Sequence, residues 1–145
     1  MVPEGRTTMP KENVQGAGKA NDGSAGQHIQ VFLYRVPRKN HDAFGAVEGK
    51  LAEIFRRHGM VRTDLYVLGE GRVFGGFRAL GPALGTTADE EVWVEIDTYR
   101  DAADSLRVIA GIGKDAAAGP LFRQVLEFAA PGILSLQGDA DRVGP

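Results

Sequence analysis

The sequence predicts an α+β fold, with one antiparallel sheet of four strands and both helices on the same face of that sheet. Three observations lead to this prediction. Four short segments between residues 28 and 137 have the two-residue alternation or the apolar composition of strands. Two longer segments repeat apolar residues at the spacing of a helix face. These elements follow one another in the order β-α-β-β-α-β, which is that of the ferredoxin-like split motif.

The composition is that of a single globular domain. The chain has 145 residues, of which 43% are hydrophobic and 25% charged. A net charge of -2 gives no attraction to nucleic acid or to an anionic membrane. The absence of cysteine excludes disulfides, thiol nucleophiles and zinc–thiolate sites. No apolar run approaches the roughly 20 residues of a membrane span. We therefore expect a cytoplasmic protein with no nucleic-acid partner and no membrane association.

The two ends of the chain are poor in large apolar residues. Residues 1–27 contain no Leu, Ile or aromatic residue, so their packing cannot offset the entropy lost on ordering. We expect a flexible tail over residues 1–27, one folded domain over residues 28–138, and a flexible C-terminus over residues 139–145.

The first strand and the first helix carry the strongest patterns. HIQVFLYRV alternates from His28, and Pro37 ends the strand because it lacks an N–H. The helix is expected to begin near Asn40, which can cap it, and to stop at Gly59 in a left-handed conformation. Its apolar stripe consists of Phe44, Val47, Leu51, Ile54 and Phe55.

The second and third strands are predicted at residues 60–68 and 90–97, on either side of a glycine-rich connection. This connection completes neither G-x-G-x-x-G nor G-K-[ST], so it predicts no dinucleotide or P-loop site. RVFGGF resembles an RNA-binding signature, but that signature belongs on the third strand, which is acidic here. We instead expect a small hairpin with a Gly75-Gly76 turn, which would place Phe74 and Phe77 on a flap.

The second helical region is expected to begin at a capping box formed by Thr98 and Asp101. A further helical piece begins near Pro120, and a short last strand covers residues 133–137. The residues expected to be buried in this region are Ala102, Leu106, Ile109, Ala110, Leu121, Phe122, Val125, Leu126 and Ala129.

One face of the predicted sheet combines aromatic and charged side chains. On the third strand the only tryptophan, Trp93, alternates onto the same side as Glu95 and Asp97. We expect this face to be left uncovered by the helices and to pack against a second copy, giving a homodimer with a barrel-like space. Its members are Gln30, Phe32, Tyr34, Arg62, Asp64, Tyr66, Trp93, Glu95 and Asp97.

The same face is a candidate site for a small molecule. Glu95 or Asp97, with a pKa raised by desolvation, would act as a general base. Arg62, Tyr34 and Tyr66 would stabilise a developing oxyanion. The walls around a ligand would be Phe32, Trp93, Asp64 and Gln30, with Phe74 and Phe77 above them. This chemistry needs neither a metal nor an organic cofactor. Alternatively, the face serves only assembly, with Arg62 paired to Glu95 or Asp97 across the seam.

Three short motifs carry a family resemblance. They are Val36-Pro37-Arg38-Lys39, Asp42-Ala43-Phe44 and His58-Gly59. With them the chain resembles the dimeric α/β-barrel superfamily of antibiotic-biosynthesis monooxygenases and stress-responsive barrel proteins, and a bacterial domain-of-unknown-function family within it. The resemblance covers the chain from His28 to Gln137.

The resemblance implies a ferredoxin-like homodimer that binds or transforms a small aromatic or polyketide-like molecule. It leaves the reaction open, because the superfamily includes oxygenases, cyclases, haem degraders and proteins of no known activity. Haem degradation is not expected here. That activity needs an Asn on the first strand and a His on the second helix, and this chain has neither.

Overall fold

The computed structural model describes residues 28–130 and 136–144, and their architecture confirms the predicted fold class. The strands are β1 (His28–Pro37), β2 (Arg62–Val67), β3 (Glu90–Tyr99) and β4 (Leu136–Asp141). The helices are α1 (His41–Arg57), α2 (Leu80–Ala83), α3 (Ala102–Gly113) and α4 (Ala118–Phe128). The strands form one antiparallel sheet in the order β2-β3-β1-β4. Within the described residues, no helix combines the length and apolar character needed to cross a membrane.

The last strand ends later in the chain than the sequence predicts. The expected tail over residues 1–27 and the start of the expected last strand, residues 133–135, lie outside the described residues. β4 continues to Asp141, which pairs with His28, so the sheet extends past the expected domain end at residue 138.

The helices cover the face of the sheet that the sequence analysis expected to be open. Tyr34 and Trp93 are buried in one cluster with Phe44, Val47 and Leu51 of α1, and Phe32 packs against the same cluster. The prediction that Phe32, Tyr34 and Trp93 form an uncovered face is therefore wrong. A two-residue period separates the two faces of a strand, but it does not say which face the helices cover.

The uncovered face is mainly aliphatic. The alternation and register place Ile29, Val31, Leu33, Val92, Val94 and Ile96 on this face, together with Arg62, Asp64 and Tyr66 of β2. Most of the aliphatic side chains are only partly buried in the single chain. Tyr66 is thus the one predicted aromatic residue that does lie on the open face.

α1 follows its sequence pattern closely. Its buried stripe includes Phe44, and Gly59 ends the helix at φ 117°, as expected for a left-handed stop. Gly45 lets the Trp93 ring approach the helix, because a Cβ at this position would lie 3.3 Å from Cη2 of Trp93. The prediction that Asn40 caps the helix with its side chain is wrong, since its Nδ2 donates to the carbonyl oxygen of Phe128 at 3.1 Å.

The N-cap of α3 lies three residues later than predicted. Asp101 accepts a hydrogen bond from the Asp104 N–H at 2.7 Å, whereas Thr98 is a buried residue of β3. The helix is rotated accordingly, and it buries Ser105, Val108 and Ile112.

Several side chains expected in the core are consequently at the surface. Leu106 is 69% exposed and Ile109 is 39% exposed, and Ala102 and Ala110 are exposed as well. On α4, Val125 is buried as expected, but Phe122 and Leu126 are 42% and 66% exposed.

The connection between β2 and β3 has the predicted turn but not the predicted hairpin. The Phe77 N–H donates to the Phe74 carbonyl oxygen at 3.0 Å across Gly75 and Gly76, and no strand flanks this turn. The short helix α2 follows it instead.

Candidate functional site

Three carboxyl groups are buried together between the sheet and α1. Glu95 and Asp97 project from β3 toward the helices, and Glu48 projects from the buried face of α1. Their exposed fractions are only 3% for Glu48, 7% for Glu95 and 3% for Asp97. Buried carboxyl groups without a cation are rare, because desolvation strongly opposes their ionisation. We call these three residues the carboxyl cluster.

One fully buried oxygen atom of the carboxyl cluster has no hydrogen-bond partner among the described residues. The Tyr34 hydroxyl donates to Oε2 of Glu95 at 3.3 Å, and the Thr63 hydroxyl donates to Oδ1 of Asp97 at 2.7 Å. Oε1 of Glu48 is buried and has no hydrogen-bond partner among the described residues. An unsatisfied buried polar atom costs free energy, so it is retained in folded proteins most readily where a ligand or a function uses it.

The environment of the carboxyl cluster favours the neutral acids. Burial, and to a smaller extent the nearby Glu48, raise the pKa of Glu95 to about 9. Burial and the neighbouring Glu95 raise the pKa of Asp97 to about 8, while burial raises the pKa of Glu48 to about 7. Glu48 and Asp97 both lie close enough to Glu95 to shift its pKa, so ionisation of one carboxyl group affects the ionisation of its neighbours.

Tyr34 is a neutral donor at the edge of the carboxyl cluster. Burial, followed by the nearby carboxyl of Glu95, raises its pKa above the ordinary value. The ring is fixed by an edge-to-face contact with Phe44 at 5.1 Å and stacks on Phe32 at 6.2 Å. The hydroxyl is therefore held in position to donate a hydrogen bond.

A small cavity of about 40 Å³ adjoins the carboxyl cluster. Its polar wall consists of the carboxyl cluster with Tyr34 and Thr63, and its apolar wall includes Phe32, Phe55 and Phe122. Phe122 is 42% exposed and meets Phe55 edge to face at 6.0 Å. The space holds water-sized molecules as it stands, and Phe122 is the one residue of its wall that is exposed.

The structure separates the predicted site residues into two groups. Glu95, Asp97, Tyr34 and Phe32 lie together at the cavity. Arg62, Asp64 and Tyr66 lie on the opposite face of the sheet.

Arg62 is occupied on that opposite face, where its Nε lies 2.8 Å from Oδ2 of Asp64. The predicted oxyanion role of Arg62 and Tyr66 beside Glu95 therefore does not fit this geometry. The alternative pairing of Arg62 with Glu95 or Asp97 does not fit it either.

Two further predicted ligand residues have structural partners beside the cavity rather than in it. Gln30 accepts a hydrogen bond from the Tyr99 hydroxyl at 3.0 Å. The indole Nε1 of Trp93 donates to Glu91 at 2.8 Å, and Nδ1 of His41 contacts the same carboxylate oxygen. Phe74 and Phe77 lie at a separate, larger groove at the end of the sheet.

Glu48 was missed in the sequence, although the sequence contains a signal for it. The helical stripe includes Phe44 and Leu51, and Glu48 lies four residues after the first and three before the second. A glutamate in the middle of an apolar stripe is directed into the core, so it indicates either a buried partner or a site.

The described residues offer no metal centre. Among residues 28–130 and 136–144, no group of three or more His, Cys, Asp or Glu side chains is arranged to hold a metal ion. His28 and His58 each contact an aspartate instead, at 2.8 Å and 2.9 Å.

The comparisons with known proteins support the fold. No protein-family model matches the chain, and no curated protein sequence matches it either. Among solved structures, the chain is similar to a mutant of SnoaB, a cofactor-independent oxygenase from Streptomyces nogalater. The two are 17% identical with a TM-score of 0.53, over 82% of this chain and 96% of the SnoaB chain. This likeness establishes a shared fold and agrees at that level with the resemblance noted in the sequence.

Proposed function

We propose that this protein binds a small, neutral aromatic molecule at the cavity beside the carboxyl cluster and transfers a proton from it. The observation that carries the proposal is Oε1 of Glu48, which is buried and unpaired next to Glu95 and Asp97. The proposed site residues are Glu48, Glu95, Asp97, Tyr34 and Phe32, and the reaction needs neither a metal nor an organic cofactor.

The charge of the carboxyl cluster sets the class of ligand. An anionic ligand would be repelled by any ionised member and would be desolvated in an apolar cavity. A neutral molecule with a carbonyl or phenolic oxygen can instead accept hydrogen bonds from the protonated acids. The aromatic wall of Phe32, Phe55 and Phe122 suits a planar ring, which enters when Phe122 turns outward.

Glu48 is the most suitable general base of the three. Its pKa of about 7 is the lowest in the carboxyl cluster, so its carboxylate form is available at neutral pH. In the proposed step a C–H proton of the ligand moves to Glu48, and the electron pair of that bond moves onto the carbonyl oxygen as an enolate. Protonated Glu95 donates a hydrogen bond to this oxyanion, and Tyr34 orients Glu95.

Cofactor-independent oxygenation is a second candidate, supported by the similarity to SnoaB. The enolate would supply the electrons that reduce O₂. Addition of O₂ at the carbanion carbon gives a hydroperoxide, and loss of water from it leaves a ketone. The overall change converts a CH₂ group and O₂ into a C=O group and water, with no external reductant.

A deuterium-exchange experiment tests the proton transfer. The probe is 2-tetralone, a neutral aromatic ketone with acidic α-hydrogens, incubated with the protein in D₂O and followed by proton NMR. We expect protein-dependent exchange that falls by about 10²–10⁴-fold in Glu48→Gln, as for loss of a general base. Glu53→Gln, which alters an exposed glutamate of the same helix, should exchange at the wild-type rate. Equal exchange by folded Glu48→Gln and wild type would contradict the proposal.

We further propose that the protein is a homodimer formed through the aliphatic open face. Val31, Leu33, Val94 and Ile96 lie on this face, and an apolar sheet face of this kind is normally covered by a partner. The alternative function is a non-catalytic homodimer in which this face serves only assembly. The absence of cysteine favours the cytoplasm as the compartment for either function.

A further inference from the structure

A larger groove lies at the end of the sheet, apart from the carboxyl cluster. It has a volume of about 650 Å³ and lies between residues 68–88 and the first residues of β3. Pockets that bind small molecules typically have volumes of about 300–1,000 Å³. The groove is therefore of a suitable size for a ligand of one to three rings.

Hydrogen bonds from Arg35 of β1 and from Arg38, which follows β1, hold one wall of this groove. The Arg35 guanidinium donates to the carbonyl oxygens of Leu84 and Gly85 at 2.9 Å and 2.7 Å. Nε of Arg38 donates to the carbonyl oxygen of Ala88 at 3.1 Å. These bonds fix the segment that follows α2, so this wall is formed before a ligand arrives.

Two phenylalanines form an apolar platform at the groove. Phe74 is 80% exposed and Phe77 is 73% exposed, and their rings meet edge to face with centroids 6.4 Å apart. Two neighbouring phenylalanines that are mainly exposed are unfavourable unless something covers them. An aromatic ring can cover both and keep the preferred ring geometry.

The charges not neutralised by the protein at the groove are mainly positive. The lining contains three arginines and three glutamates, so the formal charges balance. However, Glu90 lies 3.5 Å from Arg35, and Glu91 lies 3.8 Å from Arg38, so both carboxylates already have a cation beside them. Arg72, Arg78 and Glu70 form no ion pair with any residue that the structure describes, which leaves two guanidinium groups against one carboxylate.

We propose that this groove binds a planar aromatic carboxylate. The ring packs on Phe74 and Phe77, and the carboxylate is held by Arg72 and Arg78, whose fork of N–H groups matches it. Thr86 also lines the groove, and its buried hydroxyl has no partner among the described residues. This hydroxyl is a further hydrogen-bond donor for the ligand. This site selects an anion, whereas the carboxyl cluster disfavours one.

Titration with 1-naphthoate, followed by the backbone amide signals in NMR, tests this inference. We expect saturable shifts confined to residues 68–92, and an affinity at least about tenfold higher than that of the neutral 1-naphthol. The double variant Arg72→Gln/Arg78→Gln should lower the naphthoate affinity by about tenfold or more. The control Arg56→Gln/Arg57→Gln removes two exposed arginines from the end of α1 and should bind as wild type does.

Four results would overturn the inference. These are equal binding of 1-naphthoate and 1-naphthol, unchanged affinity in the Arg72/Arg78 variant, and shifts centred on residues 30–34 and 95–97. The fourth is a fall in molecular mass for Phe74→Ser/Phe77→Ser, which would show that a second copy covers the platform. Glu48→Gln should bind 1-naphthoate normally, so the failure of this inference and that of the proposed function can be told apart.

Discussion

Replacement of Glu95 by glutamine should remove part of the pH dependence of the unfolding free energy. In the wild type, the Glu95 pKa rises from 4.5 in the unfolded chain to about 9 in the folded protein. Between these values the folded state keeps a proton that the unfolded state loses, so stability falls as the pH rises. Glutamine has a similar shape and no proton to lose, and it therefore removes this contribution.

The size of this change in unfolding free energy follows from the two pKa values of Glu95. Each pH unit between the two pKa values costs the wild type about 1.4 kcal/mol, and pH 7 lies about 2.5 units above the unfolded value. The unfolding free energy of Glu95→Gln, relative to wild type, should therefore increase by about 3 kcal/mol between pH 4.5 and pH 7.

Urea unfolding followed by far-UV circular dichroism measures this difference at each pH. Glu53→Gln is the matched control, because it removes an exposed carboxylate from α1 and should leave the pH dependence unchanged. Parallel pH profiles for Glu95→Gln and wild type would refute the reasoning, because they would show that Glu95 has nearly the same pKa in both states.

Three further predictions concern the assembly, two glycines of α1 and a helix cap. Val94→Asp, on the open face, should reduce the mass in light scattering from about twice the 15.5 kDa chain toward one chain, and an unchanged dimer would place the interface elsewhere. Gly49→Ala should raise the unfolding free energy by about 1 kcal/mol, since its Cβ would meet nothing within 4 Å. Gly45→Ala should gain less or lose stability, because its Cβ would lie 3.3 Å from Trp93; an equal gain would contradict this packing. Asp101→Ala should cost about 1 kcal/mol in urea unfolding through loss of the N-cap bond, and a neutral effect would contradict the cap.

Local patterns were sufficient to predict most of the elements. β1, α1 and β3 have strict periods and clear end signals, such as Gly59, so their positions in the structure lie close to those predicted. The cap of α3 was misplaced because Thr98 and Asp101 satisfy the capping pattern, while pairing with β1 keeps Thr98 in the strand. The start of α3 is therefore set by the pairing of β3 with β1, which the local sequence pattern does not include.

The candidate site was predicted only in part, for a related reason. The alternation of Glu95 and Asp97 with apolar residues, on the same side as Trp93, predicted a site at these carboxylates, and the structure places both in the carboxyl cluster. The choice of face was wrong because Val92, Val94 and Ile96 form the more hydrophobic side of β3 and were assigned to the helices. Both sides of β3 carry apolar side chains, so the alternation alone does not show which side the helices cover. The only sequence signal for Glu48 is that a glutamate occupies a position in the apolar stripe of α1.

A site-resolved titration of the side-chain carboxyl carbons by ¹³C NMR tests most directly the central claim that neutral acids line the cavity. The account predicts that Glu95 and Asp97 still show the signals of protonated carboxyl groups at pH 7, and that both lose their protons only above that pH. Complete deprotonation of both residues below about pH 5, in the range of ordinary carboxylates, would contradict the account.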